Sequence, residues 1–90
     1  MFEFDLAKSA ANLAKHGIGF VDAQALWKDD ERIALDTGSV AEPRFLVVGK
    51  IEGKHWTAVI TERDLNIRII SVRRSRPSEA RAYDSQSDQH

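Results

Sequence analysis

The chain has 90 residues, of which 42% are hydrophobic and 30% are charged, and it contains no cysteine. This length predicts one domain, because a second core would leave neither half enough apolar surface to bury. The composition excludes disordered and collagen-like chains, and the lack of cysteine excludes a disulfide framework, a thiolate nucleophile and a Cys-ligated zinc. The N-terminal residues lack the pattern of a signal peptide, and no apolar run approaches the roughly 20 residues that span a bilayer, so we expect a cytoplasmic protein.

The first third of the chain predicts a short strand followed by two helices. Phe2 and Phe4 alternate with a charged residue, and Asp5 then offers an N-cap oxygen to a helix over residues 6–16. Gly17 is suited to end this helix, because glycine adopts the left-handed conformation without steric cost. Residues 21–28 repeat apolar side chains at helical spacing and predict a second helix.

After residue 30 the apolar side chains recur with the period of strands. We predict strands at residues 32–36, 44–51, 55–62 and 67–72, with turns at residues 52–54 and 63–66. Pro77 begins a last helix, which gives way to a polar tail over residues 85–90. The expected fold is α+β: three or four antiparallel strands in one domain of residues 1–84, with two helices before the sheet and one after it. Because the strand at residues 44–51 is apolar on both faces, we expect cover on both sides of the sheet.

Positive charge is concentrated towards the C-terminal end of the sequence. Residues 63–81 carry six arginines against two carboxylates, whereas the whole chain has a formal net charge of −1. This asymmetry indicates an anionic partner, and the alternative is a solvated strand and helix whose arginines pair with acidic neighbours. Strand alternation places Arg68 and Arg74 on one face, about 20 Å apart along the strand, and Arg73 on the other face. That separation suits successive phosphates of an extended RNA strand.

Cleavage of RNA without a metal ion needs a group that takes the 2′-hydroxyl proton, positive charge on the phosphorane and an acid for the leaving oxygen. Arginine supplies only the positive charge at neutral pH. The side chains that can move protons are His16, His55, Glu62, Lys15 and Tyr83. His16 is equally well explained as a C-terminal helix cap, and His55 fits a surface residue. We expect no metal site, because the histidines are scattered and residues 29–31 fit a solvated turn.

Aromatic residues are the other candidates for RNA contact, since their rings can stack on bases. Trp27, Phe45 and Trp56 fall on predicted core faces, and we assign them to packing. Tyr83 lies near the arginine-rich segment and is expected to contact RNA.

Four segments of the chain form an ordered pattern. They are FEFDLAKSAAN at residues 2–12, KHGI at residues 15–18 followed by Phe20, TER at residues 61–63, and IRIISVRR at residues 67–74 followed by Glu79 and Tyr83. In this order and spacing they resemble the BrnT family, the ribonuclease toxins of type II toxin–antitoxin pairs. The resemblance covers about residues 2–83.

The resemblance implies a RelE-like α+β fold, metal-independent cleavage of RNA that arrests translation, and no cofactor. It implies catalytic basic residues at Arg63, Arg73 and Arg74, to which we add His16 as the candidate for moving a proton. The candidates for binding RNA are Lys15, Arg68, Arg76 and Tyr83. The implied partner is a BrnA-type antitoxin with a ribbon-helix-helix domain, expected in a complex of two copies of each chain. Operator DNA would be contacted only through that antitoxin.

Two other functions remain open on the sequence. A non-catalytic RNA-binding module would bind RNA with a steep dependence on salt and leave it intact. A protein that serves chiefly to hold its antitoxin would bind RNA weakly when pure. Arrest of growth on expression distinguishes a toxin from both.

Overall fold

The computed structural model describes residues 1–87 and forms an α+β fold. Within these residues there are five strands, three α-helices and one 3₁₀ helix. In chain order they are β1 (Phe2–Glu3), α1 (Leu6–His16), α2 (Phe20–Ala23), the 3₁₀ helix (Gln24–Lys28), β2 (Ile33–Asp36), β3 (Phe45–Ile51), β4 (Lys54–Arg63), β5 (Asn66–Arg74) and α3 (Pro77–Ser87). None of the helices in this part of the chain is long and apolar enough to cross a membrane.

Helix α1 has the boundaries that its capping residues predict. The Asp5 side chain accepts hydrogen bonds from the backbone N–H groups of Ala7 and Lys8, at 2.8 and 3.1 Å. At the other end Gly17 has φ of 81°, and its N–H donates to the carbonyl of Leu13 at 2.9 Å. Both ends of the helix are therefore satisfied by local contacts.

The prediction of one second helix over residues 21–28 is wrong, because this segment consists of two helices of different type. Only Phe20–Ala23 is α-helical, and the chain then tightens into the 3₁₀ helix Gln24–Lys28. The buried side chains explain this change, because Phe20, Ala23 and Leu26 are spaced by three residues and all face the core. A spacing of three matches the 3₁₀ repeat better than the α-helical repeat.

The sheet has the strand order β1-β5-β4-β3-β2. Its four later strands are antiparallel neighbours, as predicted, whereas β1 pairs in parallel with β5 and makes the sheet mixed. The prediction of a sheet of three or four antiparallel strands is therefore wrong in leaving the short first strand outside the sheet. The two residues of β1 carry too short a pattern to reveal a partner, which is the distant Ile67–Arg68 segment.

A β-bulge changes which arginines share a face. Val59 pairs with Ser71 and Ile60 pairs with Ile69, so Ile70 has no partner on β4. Beyond this extra residue the alternation along β5 is reversed. Arg68 and Arg73 consequently lie on the same face and Arg74 lies on the other. The prediction that grouped Arg68 with Arg74 is wrong for this reason.

Both faces of the sheet are covered, but unequally. The helical face packs against α1, α2 and the 3₁₀ helix around a core that includes Phe20, Leu26 and Val72. The opposite face, which we call the α3 face, has a smaller cluster of Ile33, Val48 and Tyr83. Helix α3 runs to Ser87 and so extends into the predicted polar tail, of which residues 88–90 lie outside the described part of the chain.

Candidate active site

The arginines of the site prediction lie at two different ends of the sheet. The end at the β4–β5 turn, which we call the hairpin end, carries Arg63 and Arg68. The other end, which we call the helix end, carries Arg73 and Arg74. Arg73 pairs with Thr57, so it is separated from Arg63 by about 20 Å of strand. Arg63 and Arg73 therefore do not contact the same phosphate.

Helix α1 delivers His16 to the helix end because it runs beside β5 in the same direction. The buried Asn12 side chain fixes this arrangement: it donates to the carbonyls of Ile18 and Val72, both at 2.8 Å, and accepts from the N–H of Val72 at 3.1 Å. His16 lies one turn further along α1, and the next residue, Gly17, lines a groove together with Trp56 of β4. In the sequence the only signal for the role of Asn12 is its place in the FEFDLAKSAAN segment.

Arg73 is held by Glu79 in a two-pronged ion pair. Its Nη1 and Nη2 atoms lie 2.7 and 2.9 Å from the two carboxylate oxygens of Glu79. The Glu79 side chain is only 7% exposed, and it also accepts from the hydroxyl of Thr57 and the N–H of Arg76. The contact with Arg76 is the capping-box interaction that begins α3. The Arg73 guanidinium lowers the pKa of Glu79 to about 2, against the opposing effect of burial.

This pair makes Arg73 a half-buried structural link as well as a charged residue of the family pattern. Its side chain is 21% exposed, and its guanidinium joins β5 to α3 through Glu79. The opposing carboxylate raises the pKa of Arg73 further, so the arginine stays charged. Only the Nε atom and the outer hydrogen of Nη2 remain for another ligand.

Arg74 is the more accessible arginine of the helix end. It lies on the helical face, where its Cζ atom is 5.5 Å from the centre of the Trp56 ring and its Nε donates to the carbonyl of His55 at 3.2 Å. His16 is half-buried, and its side chain makes no hydrogen bond or ion pair with any residue from 1 to 87. Lys15 is exposed beside it. These side chains are therefore free to meet an anionic ligand.

Tyr83 belongs to the core, which corrects its assignment as an RNA contact. It is 4% exposed, and its hydroxyl donates to Asp29 at 2.8 Å. Burial and the carboxylate of Asp29 raise the pKa of Tyr83 to about 12. The same oxygen of Asp29 accepts a hydrogen bond from the backbone N–H of Lys50. Lys50 lies on β3, past the last residue that pairs with β2. Asp29 and Tyr83 thus link the 3₁₀ helix to α3 around the edge of the sheet.

The strands carry two further candidates for proton transfer, His55 and Glu62. His55 lies 2.8 Å from Asp84 and packs edge-on against Tyr83, so its ring helps to hold α3 on the sheet. Glu62 is exposed and pairs with Ile67, which places it at the hairpin end. Glu62 therefore lies at the opposite end of the sheet from His16, and the His55 ring is engaged by α3 on the α3 face.

At the hairpin end the arginines make ion pairs that are partly or largely exposed. Arg63 binds Glu42 at 2.9 Å, and Arg68 lies 4.0 Å from Glu3. The hydrogen bond from Arg63 lowers the pKa of Glu42, which is itself in contact with water. Arg76, at the start of α3, is also exposed.

The helix end carries the guanidinium of Arg74, and the last turn of α1 places an imidazole and a lysine at the same end of the fold. Arg74 can bind the oxygens of a phosphodiester, and an imidazole can accept or donate a proton. In residues 1–87 no three His, Asp or Glu side chains come together as a metal-ligand group. The arrangement is thus equipped for phosphate binding combined with proton transfer.

Comparison with known proteins gives one family. A search of curated proteins found no match. The sequence model of the family described as "Ribonuclease toxin, BrnT, of type II toxin-antitoxin system" matches residues 4–79. The match includes α1, the whole of the later sheet and the Arg73–Glu79 pair. The chain therefore belongs to the BrnT family of ribonuclease toxins of type II toxin–antitoxin systems.

Proposed function

We propose that this protein is a metal-independent endoribonuclease that acts at its helix end, cleaves RNA in the cytoplasm and thereby arrests translation. The observation that carries the proposal is the position of His16 and Arg74, which different elements bring to the same end of the fold. The family supplies the reaction class. The cysteine-free composition supports a reducing compartment.

The proposed roles follow from what each side chain can do. Arg74 binds the scissile phosphate and stabilises the negative charge of its pentacovalent state. His16 takes the proton of the attacking 2′-hydroxyl, which forms a bond to phosphorus. The bond from phosphorus to the 5′-oxygen breaks, and the leaving 5′-oxygen takes a proton from water. Arg73 adds a hydrogen bond through its remaining N–H edge. Lys15 contributes positive charge beside the site.

The hairpin end extends the RNA-binding surface. Arg63 and Arg68 would bind phosphates about 20 Å from the scissile one, which is several nucleotides along an extended strand. Arg76 adds a further phosphate contact at the start of α3. Tyr83 is left out of this surface because it is buried.

We further propose a BrnA-type antitoxin as the partner, with a ribbon-helix-helix domain that binds the operator, in a complex of two copies of each chain. The α3 face supports the need for a protein partner, since its apolar side chains are only partly covered. The half-buried ones include Leu46 and Val59. Burial of this surface would stabilise the toxin. The RelE-like classification of the fold remains a prediction.

The experiment that tests the function is cleavage of a defined RNA by the purified chain in EDTA. The wild type and an Arg81→Ala control, altered at an exposed arginine of α3, should cleave the RNA and arrest growth on expression. His16→Gln keeps a side chain that can donate to helix carbonyls, and it should cleave slowly with a changed pH profile. A His16→Gln variant with the wild-type rate and pH profile would restrict His16 to the helix cap.

A non-catalytic RNA-binding module is the second candidate function. The observation in its favour is that Arg73 already binds Glu79 through two of its nitrogens. Such a module would bind RNA with an affinity that falls steeply with salt and would leave the RNA intact in the same assay.

A further inference from the structure

A groove of about 500 Å³ opens at the helix end, on the helical face of the sheet. The α1–α2 connection forms one wall through Gly17 and Ile18, and the β3–β4 hairpin forms another through Ile51 and Lys54. The half-buried indole of Trp56 lines the groove between them. Trp56 is thus partly accessible on a face where sequence patterning assigned it wholly to packing.

Charge around this groove is divided between two cations and two carboxylates. The exposed Lys54 lines the groove at the start of β4, and the guanidinium of Arg74 lies over the Trp56 ring, 5.5 Å from its centre. The carboxylates that line the groove are Asp22 in α2 and Glu52 in the β3–β4 turn. Both carboxylates are exposed, and among the described residues neither side chain has a hydrogen-bond or ion-pair partner.

This division of charge selects one kind of ligand. A free phosphate or an acidic peptide would meet the two cations but would be repelled by the carboxylates. A nucleotide within RNA carries both features, because its phosphodiester is anionic and its base presents N–H donors. Among the bases, guanine offers two adjacent N–H groups on its Watson–Crick edge, which match the two oxygens of a carboxylate.

We propose that this groove is a subsite for one unpaired base of the bound RNA, with guanine preferred. The base stacks on Trp56, Arg74 binds the adjoining phosphate, and Asp22 and Glu52 accept hydrogen bonds from the edge of the base. The subsite rests on the proposed function in that it takes single-stranded RNA as the ligand. It adds a determinant of sequence preference next to the scissile bond.

The test measures binding of short 2′-O-methyl RNA oligonucleotides, which lack the attacking hydroxyl and stay intact. Four oligonucleotides differ only in one central base, and fluorescence anisotropy gives their dissociation constants with the full chain. The wild type should bind the guanine oligonucleotide most tightly. Trp56→Leu should weaken binding of all four by about 5- to 100-fold, since stacking is lost, whereas Trp56→Tyr should retain most of the affinity.

The double variant Asp22→Asn, Glu52→Gln tests the preference for guanine. It should abolish that preference while overall affinity stays the same or rises. Asp64→Asn is the matched control, because it removes an exposed carboxylate at the hairpin end and its φ of 47° suits asparagine. This control should keep the guanine preference.

Equal binding of the four oligonucleotides by the wild type, or wild-type affinity in a folded Trp56→Leu variant, would overturn the subsite. If Trp56→Leu does not fold, the variant Asp22→Asn, Glu52→Gln decides whether the groove selects guanine, because it alters only exposed groups. Retention of the guanine preference in that variant would overturn the subsite. The outcome is separate from that of the proposed function. Loss of the subsite leaves cleavage of RNA by the wild type intact, whereas a chain that binds guanine here but cleaves no RNA would contradict only the proposed function.

Discussion

The helix end and the hairpin end hold arginines in opposite ways. At the helix end Arg73 binds Glu79, whose side chain is 7% exposed, and the carboxylate is also bound by a hydroxyl and a backbone N–H. At the hairpin end Arg63 binds Glu42, and these side chains are 55% and 41% exposed. Water screens the second pair but not the first. Arg63 can therefore leave the carboxylate of Glu42 and bind a phosphate. Arg73 could bind a phosphate in this way only by leaving the buried carboxylate of Glu79 without its ion pair.

This difference shows that arginines in one family pattern can have unlike tasks. The IRIISVRR segment contains Arg73, which holds α3 on the sheet, and Arg74, which is exposed beside Trp56. Their neighbours in sequence do not distinguish them. What distinguishes them is the position of Glu79, five residues beyond Arg74, which caps α3 and faces Arg73 only.

The largest expected effect on stability is that of Arg73→Ala. Removal of the guanidinium leaves Glu79 buried and unpaired, so we expect the free energy of unfolding to fall by about 3 kcal/mol. Arg63→Ala is the matched control at the hairpin end and should leave it nearly unchanged. Urea unfolding followed by circular dichroism measures both. Equal stability of the two variants would show that the buried pair is no stronger than the exposed one.

Acid should weaken the buried ion pair of the helix end. Glu79 has a pKa lowered from 4.5 to about 2 in the folded chain, so its ion pair stabilises the fold above about pH 4.5. As the pH falls from about 5 towards 2, protonation of this carboxylate should lower the free energy of unfolding by roughly 3 kcal/mol. Unfolding curves between pH 7 and pH 2.5 test this. The Glu79→Gln variant should show a shallower decline, and an identical decline would assign the acid sensitivity to other groups.

Tyr83→Phe should have a smaller effect. It removes the hydroxyl that donates to Asp29, while the N–H groups of Lys50 and Glu31 still bind that carboxylate. We expect a loss of about 1 kcal/mol in thermal or urea unfolding. RNA affinity should not change, because the ring is buried. A loss of affinity at unchanged stability would restore Tyr83 to the RNA-binding surface.

Most of the fold could be predicted from local sequence, and the exceptions have identifiable causes. Asp5 and Gly17 define α1, and the alternation of apolar residues defines the antiparallel strands. Pairing of β1 with β5 depends on contacts across more than 60 residues, which no local pattern records. The bulge at Ile70 coincides with a break in the alternation of β5, where Ile69 and Ile70 are adjacent apolar residues, and strict alternation through this pair reversed the predicted sides of the arginines.

The candidate site was harder to predict than the fold. The sequence identified the arginine-rich segment and His16, because charge and motif order are local properties. Burial is not local: Asn12 and Tyr83 both carry polar groups on helices, yet each lies in the core with its hydrogen bonds satisfied. The separation of Arg63 from Arg73 follows from strand register, which becomes known only with the structure.

The most direct measurement compares the cleavage kinetics of Arg74→Ala and Arg63→Ala on one RNA in EDTA. If the helix end is the active site, Arg74→Ala lowers kcat by about 100- to 1000-fold, because it removes a donor to the pentacovalent phosphate. Arg63→Ala should instead raise KM and leave kcat nearly unchanged, since it removes a distant phosphate contact. Wild-type kcat in Arg74→Ala, together with a large loss in Arg63→Ala, would place the reaction at the hairpin end and contradict the proposed site.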